Sequence, residues 1–199
     1  EMHRLRYRVI ADEWGWKVPG IRGGYDEDQF DTENTVYFLA LCAARRRVVG
    51  CGRLNPTMEP HMLSEVFPYM CDLQGVKRSP SIYEFSRFVV DSRNLSRRDK
   101  LNAMGQIELA INEYALRSNI THLTWLSYKG VYAHGCAIWD TRPLGLPRRF
   151  DDDDATYIAA ISSMNEDGIR RIKRQYHFDS GKMTYAENPR APEHAAENW

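Results

Sequence analysis

Apolar residues at Met2, Leu5 and Val9 recur at spacings of three and four, so one face of a helix over Met2 to Glu13 is apolar. The chain starts inside that pattern, which predicts a preceding segment. A polar, glycine-rich stretch follows from Gly20 to Asp31. Two apolar runs, Thr35 to Cys42 and Val48 to Leu54, read as strands, and the short basic turn Arg45-Arg46-Arg47 between them predicts a hairpin. Met62 to Tyr69 predicts a short helix. Ser81 to Asp91 (SIYEFSRFVVD) is dense in aromatic and β-branched side chains and predicts a strand. From Arg98 to Ser118, Leu101, Met104, Ile107, Ile111 and Tyr114 mark an amphipathic helix that must cover a sheet. His122 to Tyr128 (HLTWLSY) reads as a buried strand, Val131 to Trp139 as a shorter helix, and Ala155 to Ser163 as a strand after an acidic loop.

Interleaved strands and helices put helices on both faces of a sheet, and the early hairpin makes that sheet mixed. The expected fold is α/β, a three-layer α-β-α sandwich formed by one domain over residues 1–178. Beyond Phe178 large apolar residues are few and Gly, Pro, Asn and Glu are frequent, so 179–199 is expected to be a loose tail. The 199 residues, 43% hydrophobic, suffice for a sizeable core.

Lys+Arg and Asp+Glu are both 27, so no global field attracts nucleic acid or an anionic membrane, and a charged partner must read a local patch. No apolar run approaches the length of a membrane span, and Glu1-Met2-His3-Arg4 does not resemble a secretory leader. Cys42, Cys51, Cys71 and Cys136 form no CxxC pair, and the six histidines form no ligand spacing. A soluble cytoplasmic protein without a metal is therefore expected.

Three groups of residues have the chemistry for a site. Asp26-Glu27-Asp28-Gln29-Phe30-Asp31 forms either a solvated acidic loop or a carboxylate wall for a cationic ligand. Glu84 and Arg87 lie three apart in a strand, hence on opposite faces unless a bulge intervenes, and serve either a cross-strand ion-pair network or catalysis. Arg53 follows Gly50 and Gly52, two glycines that mark a bulge, a ligand close to the backbone, or tight packing against a helix.

The order of these groups resembles the signature series of bacterial acyl-homoserine-lactone synthases over roughly residues 2 to 130. The resemblance rests on Arg6 to Trp16 (RYRVIADEWGW), Asp28-Gln29-Phe30-Asp31, Gly52-Arg53-Leu54 and Glu84-Phe85-Ser86-Arg87-Phe88-Val89-Val90-Asp91. The family's set of Arg, Phe, Trp, Asp, Asp, Arg, Glu and Arg falls on Arg6, Ile10, Trp16, Asp28, Asp31, Arg53, Glu84 and Arg87, with Ile10 the one departure. The chain lacks the Arg/Gln-x-x-Gly-x-Gly/Ala pyrophosphate loop of ordinary GNAT N-acetyltransferases, whose fold the family shares.

The resemblance implies S-adenosylmethionine as substrate rather than cofactor, and an acyl thioester on acyl carrier protein or coenzyme A as donor. It implies Glu84 as general base for the substrate amine, with Arg53 and Arg87 orienting a carboxylate or locking the acidic loop that carries Asp28 and Asp31. Arg6, Trp16 and Ser86 would bind substrate, and Phe88, Thr124, Trp125 and Leu126 would border an apolar acyl tunnel, unless they are core; Thr124 approximately matches a position where a hydroxyl favours 3-oxo acyl groups in the family. Arg170, Arg171, Lys173 and Arg174 on a helix over Asn165 to Gln175, with Arg148 and Arg149 before it, form either a docking patch for an acidic carrier or a solvated face. Competing readings are a GNAT-type N-acyltransferase for another amine and a catalytically silent binder.

Overall fold

The computed structural model describes residues 1–16, 21–42, 47–150 and 154–178. The basic residues Arg45 and Arg46 of the predicted turn, most of the acidic stretch 151–154 and the predicted tail 179–199 lie outside the described residues.

The predicted first helix has two parts. Met2–Tyr7 is α-helical (α1), and Arg8–Glu13 widens to a π-helical turn in which Trp14 N–H donates to the Val9 carbonyl five residues back at 3.0 Å. A two-residue ladder, β1 (Ile21–Arg22) and β2 (Tyr25–Asp26), follows. The hairpin strands are β3 (Val36–Cys42) and β4 (Arg47–Pro56), paired antiparallel. The predicted Met62 to Tyr69 helix is two pieces, α2 (Met62–Glu65) and a 3₁₀ turn (Pro68–Cys71), because Pro68 has no N–H to continue the helix.

Then come β5 (Ile82–Val90), α3 (Arg97–Arg117), β6 (His122–Tyr128), α4 (Lys129–Ile138), β7 (Asp140–Pro143), β8 (Arg148–Arg149), β9 (Thr156–Ser163) and α5 (Glu166–Tyr176). Ser96 starts α3 by accepting the Asp99 N–H at 3.2 Å, and Asn165 starts α5 by accepting the Gly168 N–H at 2.9 Å. Two-residue strands such as β8 carry too little periodicity to be seen in sequence.

The main sheet runs β3-β4-β5-β6-β9-β7, with β8 also pairing β9. β5 and β6 are parallel and the other pairs antiparallel, so the sheet is mixed as expected. On one face α3, α4 and α5 bury Ile107, Ile111, Ile138 and Ile172 against Leu54, Phe85, Leu123, Trp125 and Ala160. On the other face two separate apolar clusters form. Leu5, Val9 and Ile10 pack on Cys51 and Val89, and Leu63, Met70 and Leu144 pack on Tyr157, Ala159 and Ile161. Between those two clusters the sheet presents charged and polar side chains.

Candidate functional site

Two irregularities of β5 create the site. Cys51 pairs with Val89 and Arg53 with Ser86, so two residues of β5, Arg87 and Phe88, face Gly52 alone. This is a β-bulge, and Arg87 takes the left-handed conformation with φ 53°. The condition under which Glu84 and Arg87 serve one face is thereby met. The second irregularity is the β5–β6 pairing, which ends at Glu84↔Thr124 although β5 continues to Val90 and β6 to Tyr128. The strands diverge from that point and leave a cleft with Glu84 and Thr124 at its apex.

Three guanidiniums and three carboxylates interlock beside the apex. Arg6 binds Asp31 with both Nη atoms (2.7 and 2.9 Å) and Asp26 through Nε (3.0 Å). Arg53 binds Asp28 with two contacts (2.6 and 3.2 Å), reaches Asp31 at 3.0 Å and donates from Nε to Ser86 Oγ at 3.0 Å. Arg87 bridges Asp26 (2.9 Å) and Asp28 (2.6 Å). Asp28 and Asp31 thus face arginines, and the network is neutral as a whole. Planar forks make such bidentate contacts where lysine would make one.

Burial alone would raise the Asp31 carboxyl, but the Arg6 hydrogen bonds and the field of Arg53 outweigh it and hold it well below the ordinary carboxylate range. Tyr37 donates to Asp31 Oδ1 at 2.6 Å; burial and that contact push its phenol far up. Asp26, with no exposed side-chain surface, ties Arg6 to Arg87 and belongs to the site although only its place in the acidic run marked it in sequence.

Glu84 stands apart from these pairs. Its residue is fully buried, and its two oxygens accept the backbone N–H groups of Met62 (2.9 Å) and Leu63 (2.7 Å) at the start of α2. Burial raises its pKa to about 7, against the downward pull of those two N–H donors and of Arg53. A carboxyl titrating near neutrality is suited to proton transfer at physiological pH. His61, buried and held by a 2.9 Å contact from Nδ1 to the Glu59 carbonyl, precedes α2 and helps to set its position. Thr124, 1% exposed, has no hydrogen-bond partner for Oγ1 among the described residues.

Among other expected site residues, Trp16 is 38% exposed, with its ring 5.1 Å from Trp14 and 6.1 Å from Tyr157. Phe88 and Trp125 pack with the α3–α5 core, and Trp125 Nε1 donates to Ser162 Oγ at 2.9 Å on the face away from Glu84. Ile10, on the π-helical turn, packs inward with Leu5 and Val9 against Cys51 and Val89. Arg148 pairs with Asp72, Arg170 with Glu166 and Asp167, and Arg171 with Asp167. Lys173 and Arg174 lie in the last turn of α5, and Arg149 in β8.

The family model described as autoinducer synthase matches residues 1–128. The chain belongs to that family. Isovaleryl-homoserine lactone synthase of Bradyrhizobium diazoefficiens is 40% identical over 126 residues, 62% of this chain and 54% of that protein. The acyl-homoserine-lactone synthase of Agrobacterium fabrum is 33% identical over 157 residues, 74% and 71% of the two chains. With 54%, 42% and 47% of three of them covered, the chain spans about half the length of the curated relatives it matches. The solved structure of a CoA-dependent acyl-homoserine lactone synthase, BjaI, with SAM and isopentyl-CoA is similar at TM-score 0.76 and 31% identity, covering 89% of this chain and 81% of that one. A putative N-acetyltransferase from Lactobacillus plantarum, at TM-score 0.57 and 15% identity, shares the fold, which is accordingly GNAT-like. Within this autoinducer synthase fold, no group of three or more His, Cys, Asp or Glu side chains poised to hold a metal occurs among the described residues, and no described helix is long and apolar enough to cross a membrane.

Proposed function

We propose that this autoinducer synthase transfers an acyl group from a thioester to the α-amine of S-adenosylmethionine and then closes the methionine-derived part into a lactone, releasing methylthioadenosine. The observation that carries this reading is Glu84, a buried carboxyl with a pKa near 7 at the apex where β5 and β6 part.

The α-ammonium gives one proton to the Glu84 carboxylate, and the freed lone pair attacks the thioester carbonyl carbon. The C–S bond breaks, the thiolate takes the proton from Glu84, and the second amine proton leaves to solvent as the amide forms. The substrate carboxylate oxygen then attacks its own γ-carbon, whose bond to sulfur breaks. The sulfonium departs as a neutral thioether and needs no acid. Arg53 and Arg87 hold the Asp28–Asp31 loop against the cleft, Arg6 anchors the same loop from α1, and Ser86 fixes Arg53. Trp16 supplies an aromatic surface for the adenine, and Thr124 with the Leu63, Leu126 and Tyr157 cluster borders the acyl group.

Coenzyme A is the donor carrier favoured here. A similar solved structure is that of a CoA-dependent synthase with SAM and isopentyl-CoA, and Arg148, Arg170 and Arg171 already have acidic partners that compete with an acidic carrier. The reaction belongs in the cytoplasm, in keeping with four unpaired thiols. Incubation with S-adenosylmethionine and acyl thioesters on both carriers, followed by mass spectrometry, is expected to give an acyl-homoserine lactone together with methylthioadenosine. Glu84→Gln is expected to lower turnover by about 10²–10⁴ with substrate binding retained; full turnover in that variant would remove Glu84 from its role.

A further inference from the structure

The strand register places three buried polar side chains in one row across the sheet. Asn55 of β4 pairs with Glu84 of β5, and Glu84 pairs with Thr124 of β6. They are 3%, 0% and 1% exposed. Directly paired residues hold their side chains about 5 Å apart on one face, so Asn55 flanks Glu84 as closely as Thr124 does on the other side.

The Asn55 amide is fixed in one orientation. Its Nδ2 donates to the Phe30 carbonyl at 2.6 Å and to Thr35 Oγ1 at 2.9 Å, and a carbonyl oxygen accepts but never donates, so the nitrogen must lie on that side. Oδ1 is therefore turned away from Phe30, and among the described residues it meets no donor. Leaving a buried acceptor unpaired is unfavourable, and one kept next to a carboxylate suits a donor arriving from outside.

We propose that Asn55 Oδ1 accepts a hydrogen bond from the reacting amine of the substrate, making Asn55 a substrate-contacting residue beside the base. The inference rests on the function proposed above. An ammonium carries three N–H groups. One points to Glu84, which removes its proton, and a second is held by Asn55 Oδ1, so the amine stays beside the base as its lone pair is freed and turns about the Cα–N bond to meet the acyl carbon. A neutral amide suits this place better than a carboxylate, because a second negative charge beside Glu84 would raise the pKa of the base.

The test compares two ligands in two proteins. Binding of S-adenosylmethionine and of its analogue lacking the α-amino group is measured by calorimetry in the native protein and in Asn55→Leu, a replacement of similar volume without the acceptor. The native protein is expected to prefer the amine-bearing ligand, and Asn55→Leu to lose most of that preference, by roughly tenfold, while binding the analogue as before. Equal weakening of both ligands would mean that Asn55 only supports the Phe30 loop, and undiminished preference would mean no contact; either overturns the proposal. Asn55→Asp, which keeps the oxygen and the volume, is the second variant. Its rate profile is expected to keep the amine preference while its acid limb moves to higher pH, and an unmoved limb would count against an oxygen placed beside Glu84. Failure of the native protein to bind S-adenosylmethionine at all would strike the proposed reaction, not the role of Asn55 within it.

Discussion

At the scale of single residues, the balance of the charged network decides which side chains can be altered. Arg53 has no exposed side-chain surface and serves Asp28, Asp31 and Ser86 at once. Arg53→Met keeps the length and removes the charge, leaving two carboxylates short of a partner inside the protein. Breaking such a pair costs about 3–5 kcal/mol, and urea unfolding of the variant is expected to show a loss of that order. A loss below about 1 kcal/mol would mean that Arg6 and Arg87 close the gap by themselves. Glu84, Asp28, Asp31, Arg53 and Arg87 were legible in sequence through the family pattern, yet the pattern left open whether they bind a cation or one another. Their mutual pairing follows from the chain path, which brings the loop before β3 across β4 and β5. Asn55 and His61 carried no sequence signal, because a lone amide or imidazole acquires meaning only from the fold, which pairs Asn55 with Glu84 across β4 and β5 and puts His61 just before the α2 N–H groups that Glu84 accepts.

At the scale of elements, the long periodic segments were predicted within a residue or two: α3, β6 and α5 each bury a face broad enough to impose its period on the sequence. The two glycines of β4 left three explanations, and the geometry supports two of them together. A Cβ on Gly52 would lie 2.9 Å from Phe85 Cε2 and 3.3 Å from Ile107 Cγ2, and one on Gly50 would lie 3.0 Å from Ile107 Cδ1, so β4 is pressed against α3. Gly52 also sits opposite the Arg87–Phe88 bulge. Gly52→Ala must therefore push α3 or Phe85 aside, an overpacking that costs about 1–3 kcal/mol. Because Phe85 is next to Glu84 in β5, this variant is expected to lose turnover as well as stability. A thermal midpoint equal to that of the native protein would contradict the close approach of β4 and α3. The break of the first helix into α and π turns was not legible, since Ala11, Asp12 and Glu13 have ordinary helical preferences and nothing local marks the widening, beyond which Trp16 reaches Tyr157 of β9.

At the scale of the whole molecule, stability and activity are set by groups that titrate in opposite senses. Asp31 has a pKa far below its ordinary 3.8, so the stability it contributes is present above that value and fails as pH falls through the lowered one. Glu84 has a pKa raised from 4.5 to about 7, so the folded state holds a proton that the unfolded chain has lost, and stability declines as pH rises between those values. His134 is raised above 6.5 by its 2.8 Å contact with Glu108 on α3, against burial, and its contribution is likewise lost as pH rises through the raised value. Glu84 is therefore expected to pull the thermal midpoint down between about pH 4.5 and 7, against the gain from His61 and His122, which burial holds below 6.5, whereas turnover by ionised Glu84 is expected to rise through about pH 7. Glu84→Gln separates the two effects: the decline between pH 4.5 and 7 is expected to flatten, and the remaining loss at higher pH to follow His134. A decline of unchanged depth in Glu84→Gln would place the titrating charge elsewhere, and with it the observation on which the proposed reaction rests.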